Sequence, residues 1–582
     1  MENRLHHSLP TLDIEYPREK NQKHQHQKKK KGRQLEDEIL TYVLSAFYAK
    51  ILVLIGIAFS ITRSITEKGS VQHDIYYIYL YTGSIMFLLY MYLIHSRTKS
   101  VLQGIYNGIN RQSNELMDIF KKQSYIRYGS FYYRMGIIGF GVGSLIYATL
   151  RFGEYFEYDS NENCASILRA VKPATRVAFI LLQMLFIFSF SNFLAVQKSQ
   201  IIAKFGLMHL IATNVSDWFQ VLTEETVHDL WESILTKHKL DNNNSTTSLV
   251  EEKNSRILQI VQIKNDQYNH CLKIRIISPI LQRIEPHLAS CAVEYNLLCT
   301  MILLLMWKNS TSQNKEASRD LSTEISRQSG SNVIYGRSQN QFSVDCAQTQ
   351  RGLFSGILVL AATIISLILF FELIPHTSDV ALLQMSTWEA IIFVTSTVVT
   401  IMCTIRLRDM KISQFRTELQ LEHLLLLVTQ FGVFIYFIFQ IMSGFLMGYT
   451  RTEGKMRIIA PFMGVIQSFC QTAFILDAWR RQCATECQIR RKPGKQLITF
   501  LLLINVSLWV INRVKNNRSA FHPNQMNFYG ILTWNIITHV SMPLVVSYRF
   551  QATVCFYEIW KQVYKQPIKH TSTDLYELEE MI

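Results

Sequence analysis

Two stretches of this chain set the same amides at nearly the same spacing in apolar surroundings. Gln183-Met184-Leu185-Phe186-Ile187 is followed, 31 residues on, by Asn214-Val215-Ser216-Asp217-Trp218. Gln471-Thr472-Ala473-Phe474-Ile475 is followed, 34 residues on, by Asn505-Val506-Ser507-Leu508-Trp509. A weaker pairing sets Tyr295-Asn296 against Trp534-Asn535. Amides are neutral donors and acceptors that can hold one another or order water, and in hydrocarbon they cost free energy unless partnered. One buried amide is most often interhelical glue, worth about 0.6–2 kcal/mol. A repeated set points instead to a duplicated polar site. Asn214 and Trp218 are four apart, as are Asn505 and Trp509, so each pair shares a helix face.

Ionisable residues accompany these amides. Glu294 and Asp217 adjoin the first polar level, and either ion facing lipid would be expensive. Asp217 stands close enough to a span end for plain solvation to be an alternative, whereas Glu294 is deeper and could carry a proton. Lys50, Arg134, Arg176 and Arg549 read as snorkelling or paired structural charges. His209 and His539 are candidate pH-sensing groups, set against the commoner outcome of a packed, hydrogen-bonded histidine. The ten cysteines form no disulfide framework. Cys164 and Cys271 could pair, and Cys483 and Cys487 sit without a histidine, so no metal and no cofactor is expected.

These residues need helices that cross a membrane. In 582 residues, 48% are apolar and 12% aromatic, and apolar runs near 20 residues long recur, each able to span about 30 Å of hydrocarbon. Twelve such runs lie near 39–61, 74–95, 130–150, 173–194, 200–222, 287–307, 353–374, 387–405, 422–446, 458–479, 497–512 and 526–550. Charges or amides interrupt the first, fourth, fifth and last. The expected fold is therefore all-α, a membrane protein of twelve helices.

The net charge of +15 does not mark a nucleic-acid binder, because its distribution follows the spans. Loops after spans two, six and ten carry six Lys or Arg each and that after span eight carries four, while the loops after spans one, three, seven, nine and eleven carry two, three, none, three and three. That alternation is the positive-inside pattern and puts both termini in the cytoplasm. Long loops translocate largely regardless of charge, so the basic 223–286 loop is expected outside, with sequons at Asn243 and Asn244 as glycosylation candidates. Asn517 is a third candidate after span eleven, and Asn309 is a contrary sequon on the expected inner side.

The expected organisation is a disordered basic tail over 1–38, an N-terminal six-helix half over 39–307, a cytoplasmic linker over 308–352, a C-terminal half over 353–553 and a tail over 554–582. The run Lys28-Lys29-Lys30-Lys31 suits contact with anionic lipid of the bilayer. Six spans per half is even, so the two halves are parallel repeats about an axis along the membrane normal. From the 1.5 Å rise per residue, Gln183, Asn214 and Tyr295 share one level, roughly 12–15 Å below the outer surface. Asn505 and Trp534 match that level in the second half, and Gln471 looks about one turn deeper.

The chain resembles the otopetrin family of proton channels. The resemblance is carried by Gln183-Met184 and Phe205-Gly206-Leu207-Met208-His209-Leu210-Ile211-Ala212-Thr213-Asn214, and by Glu294-Tyr295-Asn296-Leu297 leading to Met306-Trp307-Lys308-Asn309. It continues through Gln471-Thr472-Ala473-Phe474-Ile475, Asn505-Val506-Ser507-Leu508-Trp509, Phe528-Tyr529-Gly530, Pro543-Leu544 and Tyr548-Arg549-Phe550. It implies two six-helix halves, a homodimer that looks pseudo-tetrameric, a plasma-membrane location and proton current driven by extracellular acid. It also implies a constriction at Gln183, Asn214 and Tyr295, with Gln471 and Asn505 as the second-half counterpart and the third member there unassigned. Many relatives carry a histidine where this chain has Leu185, so that residue's role does not transfer.

On this reading protons hop along water chains bridged by Gln, Asn and Tyr, with Glu294 as a titratable stage. A secondary transporter shares the layout of twelve spans in parallel halves, but residues 97–129 lack the Gly-Asp-Arg-rich signature usual there. A receptor or scaffold without transport leaves the duplicated amides unexplained. Nothing suggests an enzyme: no Walker loop, HExxH or GxSxG is present.

Overall fold

A computed structural model describes residues 17–65, 70–109, 131–158, 167–189, 200–242, 276–327, 349–412, 421–447, 452–483, 485–516 and 521–564. The first half of the chain contributes α1 (Pro17–Ile65), α2 (Ser70–Ile109), α3 (Phe131–Glu154), α4 (Leu168–Ser189), α5 (Gln200–Asn242) and α6 (Ile277–Arg327). The second contributes α7 (Gln350–Leu373), α8 (Ser378–Leu407), α9 (Leu421–Leu446), α10 (Thr452–Ala478), short α11 (Glu486–Arg491), α12 (Lys495–Asn516), short α13 (Pro523–Tyr529) and α14 (Ile531–Gln562).

Eleven of these helices are long and apolar enough to cross a membrane. Helix α5 falls short because Lys204, His209, Asn214 and Asp217 lower its hydropathy; those side chains are buried against other helices. Large apolar residues such as Leu54, Phe354 and Ile365 stay exposed on outward faces, as lipid contact requires. Among the described residues, two-residue strands β1 (Lys411–Ile412) and β2 (Arg481–Gln482) pair antiparallel and tie the α8 end to the α10 end.

Several boundaries differ from the sequence reading. Residues 17–38, expected disordered, continue α1: Lys, Gln, Glu and Arg favour helix, and extending an existing span avoids a new nucleus. For the same reason α6 runs past the sixth span to Arg327, into the expected linker. Helix α14 starts at Ile531, after Gly530 at φ +82° breaks the chain, and extends to Gln562, well past the expected end at 550. Its last turns are core rather than tail, with Phe556, Ile559 and Val563 buried and Tyr564 donating to the Pro493 carbonyl at 2.7 Å.

Helix pairings repeat between the halves. In the first, α1 packs on α5, α5 on α6, α3 on α6 and α4, α2 on α4 and α5, and α1 on α2. In the second, α7 packs on α12, α12 on α14, α9 on α14 and α10, α8 on α10 and α12, and α7 on α8. Each of these pairings has its counterpart among the long helices of the second half. Between the sets, α14 lies against α5 and α6.

Candidate functional site: two buried amide pairs

Helix α4 carries Gln183 and α5 carries Asn214, and both side chains are fully buried. The Gln183 Nε2 donates to Asn214 Oδ1 at 2.9 Å, and Asn214 Nδ2 donates back to Gln183 Oε1 at 3.1 Å. Asn214 also donates to the Leu210 carbonyl one turn away, at 2.8 Å. Tyr295 on α6 closes the group, its hydroxyl donating to the Ile180 carbonyl at 3.3 Å, one turn before Gln183. Gly141 lets α3 approach: a Cβ there would stand 2.8 Å from Met184 Sδ and 3.0 Å from the Tyr295 ring.

The second half builds the same object. Gln471 Nε2 donates to Asn505 Oδ1, and Asn505 Nδ2 returns to Gln471 Oε1, both at 3.0 Å. Asn505 donates to the Leu501 carbonyl at 2.8 Å, again four residues back. The direct pairing puts Gln471 level with Asn505 rather than a turn deeper. The closing aromatic is Tyr548, whose hydroxyl donates to the Ser468 carbonyl at 3.0 Å and stands 3.4 Å from Gln471 Nε2. Ser468 precedes Gln471 by three, as Ile180 precedes Gln183, so Tyr548 is the register equivalent of Tyr295.

Trp534 does not join this pair. It is fully buried among Tyr529, His522 and Tyr436, and lies 14 residues before Tyr548 on α14, about 21 Å away along the axis. Residue 526, the expected start of the last span, lies in α13 on the far side of the Gly530 break, so depth along α14 runs from Ile531 instead. Tyr548 was legible in the sequence as the Tyr-Arg of Tyr548-Arg549-Phe550 set against Tyr295-Asn296.

The neighbours of the two pairs differ in charge. Asp217 is buried, not solvated: Arg176 NH2 reaches its Oδ2 at 2.9 Å, Asn296 Nδ2 donates to the same oxygen at 2.6 Å, and the Tyr81 hydroxyl donates to Oδ1 at 2.5 Å. Arg176 is thus a paired structural charge. A pair held this way resists removal of either partner, since a lone buried ion costs several kcal/mol. In the second half Arg549 is also fully buried, but its NH1 donates to the amide oxygen of Gln467 at 2.8 Å, not to a carboxylate.

Glu294 points away from its neighbour Tyr295, as successive helical residues do, and accepts from Ser547 Oγ on α14 at 2.5 Å. It therefore lies between the halves. His209 is packed: Tyr48 OH lies 3.0 Å from Nδ1 and the Leu80 carbonyl 3.1 Å from Nε2, which fits a neutral ring protonated on Nε2. His539 is buried in α14. The glycosylation candidates Asn243, Asn244 and Asn517, and the cysteines Cys164 and Cys271, lie outside the described residues. Burial raises the Cys483 thiol to about 11, which disfavours the thiolate that a metal would need.

A cavity of about 490 Å³ opens at the Arg169–Arg176 end of α4, about two turns from Gln183. Its lining includes Asp74, Arg151, Lys172, Arg176, Glu224 and Glu285, so it is rich in charge of both signs. Arg176 joins this vestibule to Asp217 and hence to the helix that carries Asn214. Among the vestibule carboxylates, burial would raise Glu224, but Lys172, Arg63 and Arg151 outweigh it and hold the group down at about 2.

A polytopic helical membrane protein with a buried amide pair in each of two helix sets is the class these features define. Residues 132–550 match the otopetrin family, and the chain belongs to that family. It is 36% identical over 572 residues to proton channel OtopLc of Drosophila melanogaster, an alignment covering 91% of this chain but 36% of that longer protein. The chain thus spans about a third of that relative's length. It is also similar to proton channel OTOP2 of Mus musculus, at 19% over 495 residues, and of Homo sapiens, at 21% over 498, each covering 74% of this chain and 82% of the relative.

Proposed function

We propose that this chain is a proton-selective channel of the plasma membrane, opened by extracellular acid, in which protons cross through the polar necks of the helix bundles. The observation that carries the reading is the reciprocal Gln–Asn pair closed by a tyrosine, present twice in one register. Water ordered between neutral amides and hydroxyls can receive a proton on one side and release another on the opposite side, whereas a hydrated metal ion must shed its water to enter so narrow a neck. Family membership separates the chain from enzymes, and the printed names of its relatives supply the ion.

The charge alternation and the recurrent helix pairings support twelve spans in two parallel repeats, with both termini cytoplasmic. On that topology the charged vestibule faces outside, above the Gln183–Asn214 neck. Glu294 serves as a titratable stage between the halves, and Asp217 as the vestibule end of the first route. His209 and His539 are the candidate pH-sensing groups, Asn243, Asn244 and Asn517 carry the glycans, and two copies form a homodimer.

An extracellular acid step, with sodium replaced by an impermeant cation, should evoke inward current whose reversal potential moves about 59 mV per pH unit. Current reversing with sodium or chloride, or requiring a co-substrate, would rule the reading out. Changing Asn214, Gln183, Asn505 and Gln471 together to Leu should abolish the current at normal surface level, measured by biotinylation. Undiminished current in that variant would sink the neck mechanism. An epitope within 310–352 that stains intact cells would overturn the topology.

A further inference from the structure

The two necks share their hydrogen bonds but not their electrostatics. Because Ile180 and Ser468 hold Tyr295 and Tyr548 in one register, position 549 corresponds to Asn296. Position 508, three after Asn505, likewise corresponds to Asp217, three after Asn214. In the first half the local charges cancel: Arg176 and Asp217 pair at 2.9 Å, and Asn296 adds a neutral donor. In the second half the neutral donor is replaced by Arg549 and the carboxylate by Leu508.

The Arg549 guanidinium is charged at any working pH. Among the described residues its Nε and NH2 have no hydrogen-bond partner, and its remaining contacts are Gln467 and the rings of Phe393 and Tyr548. Aromatic faces stabilise a cation without neutralising it. The carboxylate whose field reaches it, Glu389, is itself bound to Lys515 at 2.5 Å. Two cations and one anion leave a net charge of +1 in this part of the second half. Gln467 carries the charge to the neck directly, accepting from Arg549 at 2.8 Å and donating to Gln471 Oε1 at 2.7 Å.

We propose that Arg549 is an electrostatic plug that closes the second neck to protons, so that conduction runs through the Gln183–Asn214 neck of the first half. The proposal rests on the reading of the necks as proton routes. At the 5.2 Å between the guanidinium carbon and the Tyr548 ring, a unit charge in an effective dielectric near 20 lowers the occupancy of an excess proton on the order of 100-fold. The second half keeps the neck's geometry while its charge excludes the permeant ion.

The test records acid-evoked current from the full-length chain, with surface biotinylation of every variant. Gln183→Leu with Asn214→Leu should remove nearly all current. Adding Arg549→Gln, which keeps hydrogen bonding and loses the charge, should restore a current that reverses with the proton gradient, whereas Arg549→Lys should not. Leu508→Asp, which installs the carboxylate that the first half has at Asp217, should restore it as well with Arg549 in place. It is the deciding variant if Arg549→Gln fails to reach the surface. The plug is refuted if the first-half double change leaves a current that Asn505→Leu then abolishes, because the second neck would already conduct. It is equally refuted if Arg549→Gln and Leu508→Asp reach the surface and restore nothing. Current that survives loss of both amide pairs defeats the neck reading itself, a separate outcome.

Discussion

Replacing His522 with Phe should remove an acid-linked loss of stability. His522 lies between α12 and α13, outside the spans, and is buried. Tyr436 OH stands 3.1 Å from its Nε2, and the Trp534 ring centre is 5.3 Å from its own. Burial first, and the Lys515 charge second, hold its imidazole down at about 3. The neutral ring thus accepts from Tyr436. Below about pH 6.5 the unfolded chain binds a proton at this position that the folded protein refuses, so stability falls with falling pH until about pH 3, and above 6.5 the residue adds no pH dependence. Each pH unit within that window costs about 1.4 kcal/mol, hence about 2 kcal/mol between pH 6.5 and 5. Phenylalanine keeps an aromatic ring beside Trp534 and cannot titrate. It leaves the Tyr436 hydroxyl without this acceptor, a cost that is the same at every pH. The assay is unfolding of the purified protein in lipid nanodiscs across that range, followed by Trp fluorescence. The stability gap between wild type and His522→Phe should move by about 2 kcal/mol in favour of the variant from pH 6.5 to 5. A gap constant within about 0.5 kcal/mol would refute the argument that this imidazole is kept neutral.

Three further outcomes are expected. A double-mutant cycle on Gln183 and Asn214, each changed to Ala, should give a coupling of about 1–3 kcal/mol, from two interhelical hydrogen bonds at about 0.6–1.7 each, with a similar value for Gln471 and Asn505; coupling below about 0.3 kcal/mol in unfolding assays would mean the amides are not paired. Glu224→Gln should destabilise by about 2–3 kcal/mol, and, because this carboxylate titrates below its unfolded value, the loss should be constant from about pH 7 to 5 and shrink only below about 4.5; a loss that already shrinks between pH 7 and 6 in the same assay would exclude the cationic clamp. Gly352→Ala should lower surface expression, because its Cβ would collide with the Gln496 backbone carbonyl where α7 crosses α12, whereas Gly139→Ala, with nothing within 4 Å, should leave expression unchanged; equal expression of the two would contradict that crossing.

How much could be read in advance depended on whether the signal was local. Apolar runs locate the long helices because each residue reports its own hydropathy, and the residues that interrupt the fifth run are those that lower the hydropathy of α5. Helix ends were less legible. Nothing local stops a basic, Gln-rich segment from extending α1 back to Pro17, or α6 from running on to Arg327. The Gly530 break moved the start of α14, and a depth count begun at residue 526 selected Trp534. The hydrogen bond from Tyr548 to the Ser468 carbonyl, matching that from Tyr295 to Ile180, selects Tyr548 instead.

The partners of buried charges were the least legible feature, because they join residues far apart in the chain. Asp217 could equally have been solvated until Arg176, Tyr81 and Asn296 were found around it, and Glu294 belonged to the first neck by sequence adjacency yet turns to Ser547 on α14. Hydrogen-bonding side chains keep their identity when a neck is duplicated, since losing one strands its partner in a medium without water. Charges around the neck are under a different constraint: a cation can stay buried if aromatic faces and amides solvate it, even where no anion cancels it. Arg549 occupies that position beside Phe393, Tyr548 and Gln467. Duplicated amides therefore report shared architecture. The two halves differ instead in charge, with Leu508 and Arg549 where the first has Asp217 and Asn296, and on the proposed reading that is where their permeation can differ.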